Sequence, residues 1–252
     1  MCCRCVMTGS CAAIAVFALL LTGPPANADG VIETRTLMIA GKSRTYFVYQ
    51  PAVGDGGTPP SLLLLLHGSQ SSGREIINEW IEVADHAGVT LLAPDATTSV
   101  GWRIHEDGPD YLHAVIDDFA TRAVYDRRRL YLFGISGGAV HALTIGSLES
   151  EYFAAVAIWA GAWREQRSYL ALSYARRKIP VELFIGDQDE FFPLDSVRET
   201  AAAFRKAGHL VQLTIIPGQR HDYHRVAARV NPAAWEFLQA SKLPAEPHYQ
   251  PY

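Results

Sequence analysis

From Val31 onward, two rhythms of apolar positions alternate along the chain. Residues 31–39 and 44–49 switch between apolar and polar or small side chains, the period of a half-buried strand, and Gly41-Lys42 between them reads as a turn. They predict an antiparallel hairpin at a sheet edge. After a Gly- and Pro-rich loop at 54–60, the run Leu62-Leu63-Leu64-Leu65-Leu66 has no polar face, as expected of a strand covered on both sides of a parallel sheet. Residues 74–87 then carry Ile76, Ile77, Trp80, Ile81 and Ala84 at helical spacing and stop at Gly88. The alternation continues with strands at 89–93, 130–133, 153–159, 181–185 and 211–216. Between and after them lie helical stretches at 110–125, from Val140 through Leu148, at 164–178, at 195–207 and at 223–240, the last interrupted near Pro232. No repeat is present. This order predicts a single α/β domain with a mainly parallel sheet.

The first residues break the pattern. Arg4, an apolar run from Cys11 to Leu21 and Pro24-Pro25-Ala26-Asn27-Ala28 form a short basic start, a core too short to span a bilayer and an Ala-x-Ala end. Together they read as a cleaved export signal over 1–28, leaving a domain over 29–252. A lipid anchor on Cys11 is disfavoured, since that cysteine precedes the apolar core. The expected product is secreted or periplasmic, with no stable membrane association after cleavage. All four cysteines (Cys2, Cys3, Cys5, Cys11) lie in this segment, so the remainder has neither disulfide nor thiol nucleophile. Without Arg4, 21 basic residues stand against 26 acidic ones, which argues against nucleic acid as a partner.

The candidate chemistry begins at the end of the strand near 130. Gly134-Ile135-Ser136-Gly137-Gly138 follows an apolar, aromatic-rich run and leads into a helical segment, the setting of a nucleophile elbow. Ser136 would project at the carboxyl edge of the sheet, with the Gly137 N–H and the helix N-terminus facing any oxyanion on a bound carbonyl. A serine hydroxyl needs a base, and the base needs a group to fix its tautomer. Two further strand ends supply them: Asp187 or Asp189 after 181–185, and His221 after 211–216. Asp187 sits close to its strand end and can instead order the loop; His224, the rival base, falls within the next helix. His67, ending a central strand early in the chain, reads as a structural bond to loop backbone. Trp102 either lines a pocket or closes its loop. No cluster has metal-ligand spacing, and no cofactor is implied.

Leu66-His67-Gly68, Pro94-Asp95 with Trp102, Ile116-Asp117-Asp118, Asp126-Arg127-Arg128-Arg129-Leu130-Tyr131, Gly134-Ile135-Ser136-Gly137-Gly138, Phe153-Ala154-Ala155-Val156-Ala157, Gly186-Asp187-Gln188-Asp189 and Gly218-Gln219-Arg220-His221 resemble the secreted polyhydroxybutyrate-depolymerase and feruloyl-esterase-like branch of the α/β-hydrolases. The resemblance runs over 31–238. It implies the α/β-hydrolase fold, a Ser136–His221–Asp189 triad and an oxyanion hole from the N–H groups of Ser69 and Gly137. The family's acid loop favours Asp189 over Asp187. The implied activity is hydrolysis of short-chain, aryl or hydroxyalkanoate esters, small or oligomeric, through an acyl-enzyme. Peptidase or acyltransferase chemistry on the same fold, or an inactive binding module, are the alternatives. The stretch between the strands ending at Trp159 and starting at Val181 is too short for a large cap, so Trp102, Trp163, Phe191 and Phe192 are expected to form a shallow aromatic rim.

Overall fold

The computed structural model describes Met1, residues 30–52 and residues 57–251; residues 2–28 of the expected export signal and residues 54–56 of the loop at 54–60 lie outside these. In chain order the elements are β1 (Glu33–Ile39), β2 (Lys42–Tyr49), β3 (Leu62–Leu66), α1 (Gly73–Asn78), α2 (Ile81–Ala87), β4 (Thr90–Pro94), α3 (Ile104–Asp107), α4 (Pro109–Ala120), β5 (Leu130–Ile135), α5 (Gly137–Leu148), β6 (Ala155–Trp159), a 3₁₀ turn (Gln166–Leu170) running into α6 (Ala171–Tyr174), β7 (Val181–Gly186), α7 (Leu194–Lys206), β8 (Val211–Ile216) and α8 (Ala227–Gln239). The strands form one eight-stranded sheet in the order β1-β2-β4-β3-β5-β6-β7-β8. β1–β2 and β2–β4 are antiparallel and the rest parallel, giving the α/β-hydrolase architecture with its N-terminal hairpin.

The hairpin closes one residue earlier than the pattern suggests, on Ala40 (φ 47°) and Gly41 (φ 76°), the two left-handed residues of a type I′ turn. Every residue of β3, β4, β6 and β7 is buried, which is why the leucine run has no polar side. β3 and β5 are neighbours, yet the chain leaves β3 toward β4 on one side and β5 toward β6 on the other. Loops after two such strands diverge and leave a crevice at their carboxyl ends, where ligands of open α/β sheets bind.

Four helical expectations shift, the one at 110–125 ending at Ala120. The single helix expected at 74–87 is two, because Asn231 Nδ2 donates to the Glu79 carbonyl (2.6 Å) and Trp80 is buried edge-on to Phe133, centroids 4.8 Å apart. The stretch at 164–178 holds only the 3₁₀ turn and α6, so among the described residues it builds no cap over the sheet edge. α8 starts later than expected and continues through Pro232. Among the described residues no helix is long and apolar enough to cross a membrane.

Candidate active site

Steric limits at the end of β5 build the elbow. A Cβ on Gly134 would lie 2.3 Å from the Gly138 carbonyl oxygen, and one on Gly138 2.2 Å from that of Leu66, so both positions exclude any side chain. Between them Ser136 is held at φ 52°, ψ −117°, a conformation costing about 1–3 kcal/mol for a non-glycine residue. The surrounding frame fixes it: Ser136 N–H donates to the Trp159 carbonyl across to β6 (3.0 Å), and the Ser136 carbonyl accepts from Ala139 and Val140 at the start of α5.

Ser136 Oγ lies 2.9 Å from His221 Nε2, and His221 Nδ1 lies 2.7 Å from Asp189 Oδ2. The other carboxylate oxygen of Asp189 accepts the backbone N–H groups of Phe191 (2.9 Å) and Phe192 (2.7 Å). Burial would raise the Asp189 pKa, but the hydrogen bond from His221 and these backbone donors outweigh it and hold the carboxyl below its ordinary range. With a carboxylate as its partner, Nδ1 carries the imidazole proton, and Nε2 is left to accept from the serine hydroxyl. Asp187 instead accepts the Gly218 N–H (2.7 Å), ordering the β7 and β8 loops against each other. His224 is exposed and paired with Glu79.

Next to Ser136, the N–H groups of Gly137, first residue of α5, and of Ser69, after β3, have no hydrogen-bond partner among the described residues. The loop carrying Ser69 is pinned from three sides. His67 Nε2 accepts from Ala96 N–H (3.0 Å), so its Nδ1 carries the proton and donates to the Gly68 carbonyl (2.7 Å). Burial lowers the pKa of His67, keeping it in this neutral form. Trp102 Nε1 donates to the His67 carbonyl (2.8 Å), and Gln70 N–H to that of Ser99 (2.6 Å). Trp102 therefore does both things considered for it: it ties the two loops together, and its ring stands over the crevice, stacked on His141 at 5.2 Å.

A cavity of about 560 Å³ starts at Gly137 and is bounded by Trp102, Val140, Thr144, Arg164 and Phe192. Phe191, 59% exposed, and half-buried Phe192 both pack against the His221 ring, at 4.8 and 5.8 Å. The expectation of an exposed rim fails at Trp163. That indole is buried and stacks on Phe204 (5.0 Å); its Nε1 donates to Thr144 Oγ1 (3.3 Å) and its backbone N–H to Thr200 Oγ1 (3.0 Å). With its Nε1–H met by the Thr144 hydroxyl, the indole packs against Phe204 of α7 without leaving a buried donor unpaired.

Several residues shaping the site have no motif to mark them. Arg164 stands over the Phe192 ring at 5.1 Å. Exposed Glu190 accepts from the His221 N–H (3.3 Å) and pairs with Arg220 (3.1 Å). Fully buried Asp107 gathers the Trp102 loop by accepting from Arg44 Nη2 (2.6 Å), Thr97 N (2.8 Å), Thr97 Oγ1 (2.7 Å) and Arg103 N (2.9 Å). His141, pushed down to about 4 by burial and so neutral, donates from Nε2 to the Asp107 carbonyl (2.8 Å). Among the described residues no group of three or more His, Cys, Asp or Glu side chains is placed to hold a metal ion.

Sheet order, elbow and the serine–histidine–aspartate geometry define an α/β-hydrolase. Residues 89–240 match the dienelactone hydrolase family, and the chain belongs to it. It is 28% identical over 191 residues to NocK of Nocardia uniformis subsp. tsuyamanensis, which carries a provisional esterase name, covering 69% of this chain and 54% of that protein. It is 29% identical over 147 residues to the poly(3-hydroxybutyrate) depolymerase of Ralstonia pickettii, covering 49% of this chain and 30% of the depolymerase. The chain thus spans about half the length of the first relative and under a third of the second. The same fold occurs in a CE1 ferulic acid esterase of Anaeromyces mucronatus, with a TM-score of 0.68 at 14% identity over 87% of this chain and 93% of that one.

Proposed function

We propose that the protein hydrolyses carboxylic esters through an acyl-enzyme on Ser136. The observation that carries this reading is the continuous chain Asp189–His221–Ser136, at 2.7 and 2.9 Å, ending beside two unpartnered N–H groups. Ser136 Oγ attacks the ester carbonyl carbon as its proton passes to His221 Nε2. The carbonyl π pair withdraws onto oxygen, held by the N–H groups of Ser69 and Gly137. Collapse returns the pair, breaks the bond to the alcohol and hands it the proton from His221. Water then repeats the sequence, releasing the acid and regenerating Ser136. Asp189 keeps the imidazole oriented and stabilises its cation. Covalent labelling of Ser136 by a fluorophosphonate, located by peptide mass, tests the reading; an unlabelled Ser136 in folded protein would refute it.

The substrates we infer are short-chain or aryl esters, including feruloyl-like and hydroxyalkanoate esters. The cavity beside Gly137 is walled by Trp102 and Phe192, which offer ring faces to an acyl or alcohol group. The stretch that would carry a lid is only a 3₁₀ turn and one helical turn. Across p-nitrophenyl esters, kcat/KM is expected to fall beyond about C4 to C6, with no jump in rate at the substrate's micelle concentration. Higher activity on long chains, or a jump in rate at the micelle concentration, would overturn the short-chain reading.

We also propose that the protein acts outside the cytoplasm after loss of residues 1–28. The basic start, the short apolar core and Ala26-Asn27-Ala28 support it. The exported form is expected to begin at Asp29 without lipid, which intact mass would show. An acylated species retaining Cys11 would overturn this.

A further inference from the structure

We propose that the Ser69 hydroxyl is a third donor to the oxyanion, beside the backbone N–H groups of Ser69 and Gly137; the inference rests on the ester-hydrolase reading above. The hydroxyl occupies a slot between two glycines. A Cβ on Gly137 would lie 2.7 Å from Ser69 Oγ, and one on Gly101 3.1 Å from it, so a side chain at either position would crowd the oxygen. Gly101 is at φ 143°, where L side chains are strained whatever the space. The same Cβ position on Gly137 lies 3.5 Å from Ser69 N, so the hydroxyl and the N–H of one residue border a single spot beside the first residue of α5.

Serine hydroxyls in loops commonly bond back to neighbouring backbone. This one does not: among the described residues Ser69 Oγ has no hydrogen-bond partner, although the loop around it is fixed. His67 is bonded through both ring nitrogens and its carbonyl, and Gln70 is held at φ 63° with its N–H on the Ser99 carbonyl. A pinned residue presenting an uncommitted donor next to the Gly137 N–H is arranged for an acceptor supplied by substrate. As the Ser136 Oγ–carbon bond forms and the carbonyl π pair moves to oxygen, Ser69 O–H donates a hydrogen bond to that oxygen and keeps its proton. On collapse the pair returns to the carbon–oxygen bond, and Ser69 is unchanged. The bond strengthens as charge develops, so it acts on kcat and little on KM.

The test compares wild type, Ser69→Ala, Ser69→Cys and Ser136→Ala on p-nitrophenyl butyrate, with inhibition by an aryl trifluoromethyl ketone, whose adduct with the serine carries the same oxyanion. Ser69→Ala is expected to lower kcat about 10²-fold with KM within about twofold, and to raise the ketone's Ki by a similar factor. Ser69→Cys, a weaker donor of similar size, should fall between the two. Thermal midpoints should be unchanged, since Ser69 is an exposed residue and its hydroxyl makes no hydrogen bond among the described residues. Unchanged kcat and Ki in Ser69→Ala would overturn the inference and, with Ser136→Ala inactive, leave the ester-hydrolase reading standing. A change in KM or thermal midpoint without a matching change in Ki would assign Ser69 a structural role and equally overturn it. Turnover retained by Ser136→Ala would remove the reading on which the inference rests.

Discussion

Replacing Ser136 by Ala is expected to lower ester turnover on the order of 10⁶-fold, His221→Ala to do nearly the same, and the double variant to be scarcely worse than either. The hydroxyl is a poor nucleophile until its proton has somewhere to go, and at 2.9 Å His221 Nε2 is the only base in contact with it among the described residues. Either removal therefore abolishes the same step, and the losses do not add. The residue left at 136 still adopts the strained elbow, because its N–H stays on the Trp159 carbonyl and its carbonyl still accepts from Ala139 and Val140, so folding should be retained within about 1 kcal/mol. Steady-state kinetics on a short p-nitrophenyl ester, paired with thermal melts, measure both. Near-normal turnover in His221→Ala together with loss in His224→Ala would reverse the choice of base. The structure speaks against that exchange, since His224 is turned outward to Glu79.

What could be read from the sequence was whatever depends on neighbours in the chain. Gly134-Ile135-Ser136-Gly137-Gly138 is legible as a spacing: Gly134 and Gly138 are needed because backbone oxygens of Gly138 and Leu66 lie 2.3 and 2.2 Å from where their Cβ atoms would be. The buried strands were legible because a parallel sheet demands residues without a polar face. The larger losses involve partners distant in sequence. The break between α1 and α2 depends on Asn231 donating to the Glu79 carbonyl, and the Trp102 loop on Arg44 reaching Asp107. Trp163, following Ala160-Gly161-Ala162, looks like an exposed loop aromatic until Thr144, Thr200 and Phe204 are brought around it. Arg164 has no signature because a lone arginine after a strand is ordinarily a solvated residue.

Asp189→Asn is expected to lower kcat on the order of 10⁴-fold with little change in fold, and the reason lies in which oxygen does what. Asp189 Oδ1 accepts two backbone N–H groups, from Phe191 and Phe192, while Oδ2 faces His221 Nδ1. An asparagine can satisfy the two N–H donors only by placing its amide oxygen toward them, which turns its NH₂ group onto His221. Nδ1 must then accept, the imidazole proton moves to Nε2, and Nε2–H points at Ser136 Oγ instead of receiving its proton. The side chain is fully buried, so solvent cannot restore the other tautomer by bridging the pair. The variant should keep its thermal midpoint within a few degrees, because all hydrogen-bonding positions stay filled, and should lose the low-field Nδ1 proton resonance of the wild type. Turnover within tenfold of wild type would show that Asp189 does not set the tautomer of His221. A low-field Nδ1 resonance persisting in an inactive variant would place the defect elsewhere, in the loss of the negative charge that stabilises the imidazolium.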